Sequence, residues 1–578
     1  MKKFLTFFFF LSANISFVCS GVFAADFNVK VVRDYFIDST DKTRVSETHV
    51  IENKSTTGWI SENNSELFFV SVTSGNAETL TQTLATVQLS IDGSPVSFIT
   101  DQKEDHAVLS VKLGKAIKPN ASITFKIEYD NYGLIEKKGA LIDFYAPGFK
   151  STDGEDQTGA TTSYTYDTYV NISKSLPELN FITPDPSERG STDEYTRYFF
   201  SYEALLNKYI WAQIGRVQYY KFLITQSVQS TETTSTGYEN EYKIIVPRSI
   251  DEPQMYQKVY YIRIDPQPSY VETDIDGNLV FAFKMPTTEN RTITIEGFAE
   301  VGRNSEAINE NTVGSIRDGV INDMGNYLSE ATYWEVNDPQ IKAKAVEIAG
   351  TEDNVFLLSQ KLYDYVIGKI DYSKVKRFGL NERQGALNTL NGSAAVCMEY
   401  SDLYLTLARA AGIPTRAVFG YGYDSKIQND LQEAHQWVEV FMPGVDKWVS
   451  IDVTWGESGM KMAEGNLNHF FTHVASVSPN SPSLVERKSY GLESDLATPV
   501  YKIDAYASIS DSGGLKTQEM LLAEYPIPVE STNTFTTFIN SMNIGSFVSV
   551  SGIMIVVGIV LMIVSLIGIV KMLRMDSE

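Results

Sequence analysis

Cysteine and histidine are scarce in this 578-residue chain, at two and five residues, and 48 Lys and Arg are outnumbered by 72 Asp and Glu. Two thiols, Cys19 and Cys397, allow at most one disulfide, so no disulfide framework holds the fold together. A formal charge of −24 repels a phosphate backbone at long range, which argues against nucleic acid as a partner. No glycine-rich phosphate loop is present, and no cofactor is expected. His469 and His473 stand four apart without an HExxH context or a cysteine cluster, so no metal site is expected either. What the chain does have is apolar surface: 43% hydrophobic against 21% charged residues is the composition of a chain that folds.

At roughly 100 to 200 residues per domain the length implies three or four units. Lys2 and Lys3 precede an apolar run from Phe4 to Val18, and Val22-Phe23-Ala24 offers small residues for cleavage, so residues 1–24 read as a signal peptide, with an uncleaved anchor as the rival. Its removal takes Cys19 away and leaves Cys397 as the only thiol. Phe547 to Val570 carries no charge and spans about 36 Å as a helix, enough to cross a bilayer. With Lys571 and Arg574 just beyond it, a single-pass type I protein of the cell membrane is expected, its large region extracytoplasmic and residues 571–578 a cytoplasmic tail.

The first 300 residues are rich in Tyr, Phe, Thr and Val, which suit a pleated surface. Ile123, Phe125, Ile127 and Tyr129 alternate with Thr124, Lys126 and Glu128, and a similar pattern returns around Leu279, Phe281, Phe283 and Ile293. Two tandem β-sandwiches are expected, at 25–150 and 151–303, with the Gly-, Thr- and acid-rich Ser151–Ser163 as a linker. Asp274, Asp276 and Asn278 echo a calcium loop, but Met285 stands where its glutamate belongs, so a turn is the better reading. From about residue 304 the period becomes helical: Asp338-Pro339 opens one helix and Phe356 to Val366 forms another. An α+β core is expected over 304–478, then a tail and stalk to residue 546.

Within that core, Glu399 to Ala411 reads as a helix stopped by Gly412 and Pro414, which puts Cys397 at its N-terminus, where unpaired N–H groups favour an anion. His435 to Phe441 and Lys447 to Val453 alternate around Pro443-Gly444-Val445-Asp446 and predict a hairpin. If Met442 opposes Lys447, His435 and Asp452 lie one diagonal apart on one face; a one-residue slip would separate them. Cys397, His435 and Asp452 are therefore the candidate nucleophile, base and orienter.

Val396-Cys397-Met398-Glu399-Tyr400, Leu407 to Arg416 with Gly420-Tyr421, His435 to Val440, and Trp448-Val449 through Asp452-Val453-Thr454-Trp455 resemble the core of the transglutaminase-like superfamily, from about Asn337 to about Thr472. The resemblance implies a papain-like α+β fold, a Cys-His-Asp triad falling on Cys397, His435 and Asp452, and acyl-transfer chemistry at amide bonds. Peptidases, transglutaminases and deamidases are its members. The chain departs from the pattern at Ala395, where glycine often precedes the nucleophile, and at Val453, where proline often follows the aspartate. The backbone N–H of Cys397 is one oxyanion donor by geometry, with Gln384 or Asn391 as candidates for another. The expected fold class is thus multidomain: an all-β sandwich-like region, an α+β papain-like transglutaminase core and a C-terminal transmembrane helix. The expected function is a membrane-anchored thiol enzyme acting on protein or peptide amides; the alternative is a non-catalytic cell-surface adhesion or scaffold protein that uses the core for binding.

Overall fold

The computed structural model describes residues 27–528 except 55–66, 104–105, 113–116, 150–161, 235–236, 307, 379–381, 393, 424–430, 478–483 and 510–513. Alternation at the start of the chain produces an eight-stranded sheet in which Ser122–Asn131 buries Ile123, Phe125 and Ile127 and turns Thr124, Lys126 and Glu128 outward. Phe27–Ile37 lies inside this sheet, antiparallel to Thr43–Asn53 and parallel to Thr162–Ser173. A four-stranded sheet built from Leu179–Thr183, Tyr209–Ile214, Leu141–Pro147 and Ile135–Lys138 shares the same hydrophobic core. The boundary expected at 150/151 therefore falls inside one packed region reaching Ile214. A loop-like composition at 151–163 says nothing about the strand after it, whose partner is more than a hundred residues upstream.

The second β region is also not the contiguous block expected to end at 303. Its six-stranded sheet is centred on Val217–Val228 and Arg291–Arg303, and Val500–Tyr506 pairs with the former. Its five-stranded sheet contains Glu239–Val246 and Leu279–Pro286, joined by Val485–Ser489. Strands from both ends thus enclose the intervening core in sequence, and Val485, Ile503 and Leu521 complete the hydrophobic cluster around Phe222, Tyr261 and Phe281.

Between them, Asp338 caps the helix Pro339–Ala349, its carboxylate accepting Gln340 N–H at 2.7 Å. The helix Val355–Lys369 buries Val355, Leu358, Leu362, Tyr363 and Val366, a stripe shifted from the expected one, since Leu357 faces solvent. The helix Cys397–Ala410 is buried along most of its length and packs on a four-stranded antiparallel sheet ordered Lys447–Ile451, Ala434–Met442, Thr415–Gly422, His469–Ala475. Gly412, at φ +90°, lets this helix end with Ile413 N–H on Ala408 O and Gly412 N–H on Arg409 O.

The expected fold class is corrected in two respects. The described chain is mostly β sheet with few helices, and no helix among the described residues is long and apolar enough to cross a membrane. The longest, Val355–Lys369, has 15 residues and carries Lys361, Asp364 and Lys369; at 1.5 Å per residue it falls short of a hydrocarbon core of about 30 Å. Both the expected span at 547–570 and the signal segment 1–24 lie outside the described residues.

The strand His469–Ala475 is an edge of the core sheet, and two side-chain amides from the second β region occupy the place of a neighbouring strand. Gln257 accepts Phe471 N–H and donates to Phe471 O, both at 3.0 Å. Asn278 accepts Val474 N–H and donates to Val474 O, both at 2.9 Å. Asn278 belongs to the acidic turn noted above, closed by Asp274 accepting Asp276 and Asn278 N–H at 2.9 and 2.8 Å. The turn closes a buried sheet edge that would otherwise leave backbone groups unpaired. Asn278→Ala is expected to cost about 2–4 kcal/mol in urea unfolding, because two buried backbone partners are orphaned together.

Candidate active site

Cys397 is the first residue of its helix and is half-buried. The turn before it is held from the helix side: Glu399, fully buried, accepts Val396 N–H and Gln384 N–H, each at 3.1 Å, and pairs with Lys376 at 2.6 Å. Ser373 N–H donates to Ala395 O at 2.7 Å, so a second segment braces the residues leading to the thiol. Ser401 Oγ donates to Gln436 O at 3.0 Å and ties the helix to the strand that starts with His435. Asp402 adds a second tie, accepting Arg383 Nε at 2.7 Å, Trp334 Nε1 at 2.8 Å and Gln436 Nε2 at 3.3 Å.

The hairpin has the register expected from the sequence: Met442 opposes Lys447 and Val438 opposes Ile451. Asp452 is the next residue after the paired run, and its Oδ2 lies 2.6 Å from His435 Nε2. Trp455 N–H donates to Asp452 Oδ1 at 3.1 Å, and the Trp455 ring stacks on His435 with centroids 5.1 Å apart. That stacking needs Gly422, where a Cβ would come within 2.8 Å of the Trp455 ring. The Cys397 thiol lies near enough to the imidazole to favour its charged form. With Nε2 committed to Asp452, Nδ1 is the nitrogen that can take the thiol proton.

Both groups of this buried pair are shifted toward their charged forms. Burial opposes a charge on His435, but the Asp452 carboxylate and the Cys397 contact outweigh it and raise the imidazole above its ordinary value. Burial likewise opposes the Asp452 carboxylate, and His435 and His469 overcome it, lowering the group. The two shifts describe one carboxylate–imidazolium pair.

Three residues around these groups were not anticipated as part of the site. Tyr372 is bridged in parallel to Ala395, and its N–H donates to Glu457 Oε1 at 2.7 Å. Burial raises Glu457 to about 7, against the opposing effect of that N–H, and Tyr400 hydroxyl donates to it as well. His469 Nε2 lies 2.9 Å from Asp452 Oδ2, the same oxygen that meets His435. Its place at the start of a strand, like that of His435, was the available signal, overshadowed by its spacing from His473. Of the two oxyanion candidates, Gln384 gives one of its two carboxamide N–H groups to Glu382 O at 3.1 Å, and Asn391 is exposed. His435, Asp452 and His469 present their side-chain N and O atoms within 4.8 Å of one another, a grouping that the two hydrogen bonds to Asp452 account for.

His473 has a different role. Its ring stacks on Phe419 at 4.8 Å with planes 9° apart, and burial lowers it to about 3. The unfolded chain then binds a proton near pH 6.5 that the folded chain refuses, so stability present above that pH is lost as pH falls toward 3, by up to about 1.4 kcal/mol per unit. His473→Phe is expected to lose less stability than the parent between about pH 7 and about pH 4.5, read by urea melts at both.

A thiol at a helix start, an imidazole and a carboxylate on an adjoining hairpin define a cysteine–histidine–aspartate constellation on an α+β core. Residues 342–453 match the transglutaminase-like superfamily, and this chain carries a transglutaminase-like core of that superfamily. No curated protein gives a significant match. Among solved structures, a proposed cysteine protease from Cytophaga hutchinsonii is similar at 16% identity and TM-score 0.33, over 51% of this chain and 93% of its own. A proposed protease from Parabacteroides distasonis is similar at 11% identity and TM-score 0.17, over 76% of this chain and 71% of its own. An M1 zinc metallopeptidase from Deinococcus radiodurans is similar at 6% identity and TM-score 0.18, over 36% and 44%. All three TM-scores fall below 0.5, the range of partial overlap.

Proposed function

We propose that this protein is an exported thiol enzyme that cleaves or transfers acyl groups at amide bonds of proteins or peptides, with Cys397 as nucleophile, His435 as base and Asp452 as its orienting carboxylate. The observation that carries the reading is the 2.6 Å contact between His435 Nε2 and Asp452 Oδ2, beside a Cys397 thiol that heads its helix and favours the charged imidazole. His435 takes the thiol proton and the sulfur attacks the amide carbonyl carbon. Negative charge gathers on the carbonyl oxygen, within reach of the Cys397 N–H at the helix start, where no intrahelical acceptor competes for it. As the tetrahedral species collapses, the C–N bond breaks and His435 returns its proton to the leaving amine, which leaves a thioester on Cys397. Water is the default acceptor, since it is always present; an amine in its place would give transamidation.

The test is a panel of quenched peptide substrates and an amine-incorporation assay on the same glutamine-bearing protein, run with wild type and Cys397→Ala. Release of peptide that vanishes in Cys397→Ala supports hydrolysis, and Cys397-dependent amine incorporation supports transfer. Neither activity, together with a thiol indifferent to His435, would leave the core as a binding scaffold.

A further inference from the structure

We propose that His469 is a positioning residue for this site: a second imidazole that shares the Asp452 carboxylate and thereby sets how strongly that carboxylate holds His435 in its charged form. The inference rests on the thiol-enzyme reading for its consequence but on geometry for its content. Asp452 Oδ2 meets His435 Nε2 at 2.6 Å and His469 Nε2 at 2.9 Å, so one oxygen serves two rings. The rings lie 5.7 Å apart with planes 29° from parallel. Trp455 packs on both, at 5.1 and 4.1 Å, and Trp437 does so from its own strand, at 5.8 and 4.7 Å. Both indoles thus pack against both imidazoles.

The tautomer of His469 follows from its two contacts. Nε2 faces a carboxylate at 2.9 Å, whereas Nδ1 faces the backbone carbonyl of Asn466 at 3.3 Å. A single proton is best placed on Nε2, where the acceptor is charged and closer. Burial disfavours a second proton, so His469 acts as a neutral N–H donor. The charged and titratable groups around it are Asp452 and His435 on the hairpin, with Glu252 and Glu464 on the walls of the adjoining cavity. Its N–H draws on the same lone pairs that stabilise the His435 cation, and its partial positive charge faces that cation. His469 is therefore expected to restrain the basicity of His435. An unrestrained imidazole would hold its proton too tightly to return it to a leaving amine.

The experiment follows the His435 imidazole by histidine-labelled NMR titration of the folded protein, in wild type, His469→Phe and His469→Gln. Phenylalanine keeps a ring between the indoles and removes the donor; glutamine restores an N–H. The His435 titration is expected to move up by roughly 0.5 to 1 pH unit in His469→Phe and to return most of the way in His469→Gln. The shift should disappear when Asp452→Asn is the background, because the coupling runs through that carboxylate. A His435 titration identical in wild type and His469→Phe, with His473 signals showing the fold intact, overturns the proposal. Should the shift appear while alkylation of Cys397 ignores His435→Ala, the shared carboxylate stands and the thiol-enzyme reading falls.

Discussion

Iodoacetamide is expected to alkylate Cys397 rapidly at about pH 6 in the wild type and about a hundredfold more slowly in His435→Ala. The thiolate is the reactive form, and an imidazolium beside a thiol favours it, so removing the imidazole removes that assistance. The imidazole is the right partner because Asp452 outweighs the cost of burying its charge. Asp452→Asn should slow the reaction by about tenfold, since the amide still orients the ring but no longer stabilises its charge. Cys397→Ala should lose all labelling and all amide-directed activity. Its melting temperature should stay near that of the parent, because the half-buried thiol fills little core. A pH–rate curve that rises only above pH 8 and is unchanged in His435→Ala would sink the nucleophile assignment.

The parts of this site that could be read in the sequence are those built from local signals. The apolar spacing of Leu403 and Leu407, ended by Gly412, locates a helix, and a helix start is a property of its own few residues. The His435 and Asp452 strands are joined by a four-residue turn, so their register follows from the turn and from alternation. His469 enters from an irregular stretch, and its distance from Asp452 is decided by what fixes Asn466 to Asn468 rather than by any period. The β regions failed for a related reason. Thr162–Ser173 and Val500–Tyr506 were each visible at best as isolated strands, but their partners, Phe27–Ile37 and Val217–Val228, lie far away in sequence. A linker-like composition at 151–163 then drew a boundary through a sheet.

That same non-local packing predicts a large effect far from the thiol. Asp143, on the strand Leu141–Pro147 of the first β region, is fully buried and accepts Trp211 Nε1 at 2.8 Å, Gln213 Nε2 at 3.2 Å and Asn468 Nδ2 at 3.1 Å. Burial raises its carboxyl above the usual range while the three donors pull it back. Gln213 in turn donates to Asn466 Oδ1 at 3.2 Å and accepts Leu467 N–H at 3.3 Å. The segment Asn466–Asn468 thus hangs on Asp143 and Gln213, and the next residue is His469. Asp143→Ala leaves three buried donors unanswered and is expected to cost about 3–5 kcal/mol in urea unfolding. Asp143→Asn should cost less, about 1–2 kcal/mol, because one oxygen remains and the Asn468 amide can turn to accept. Below its melting temperature, Asp143→Ala should also lose activity against peptide amides, whereas Asn468→Ala added to it should cost little more, since the two act through one contact. Additive costs from Asp143→Ala and Asn468→Ala would show that the first β region supports the fold without setting the site. Non-additive costs, with activity falling in step, would make the first β region part of the catalytic apparatus.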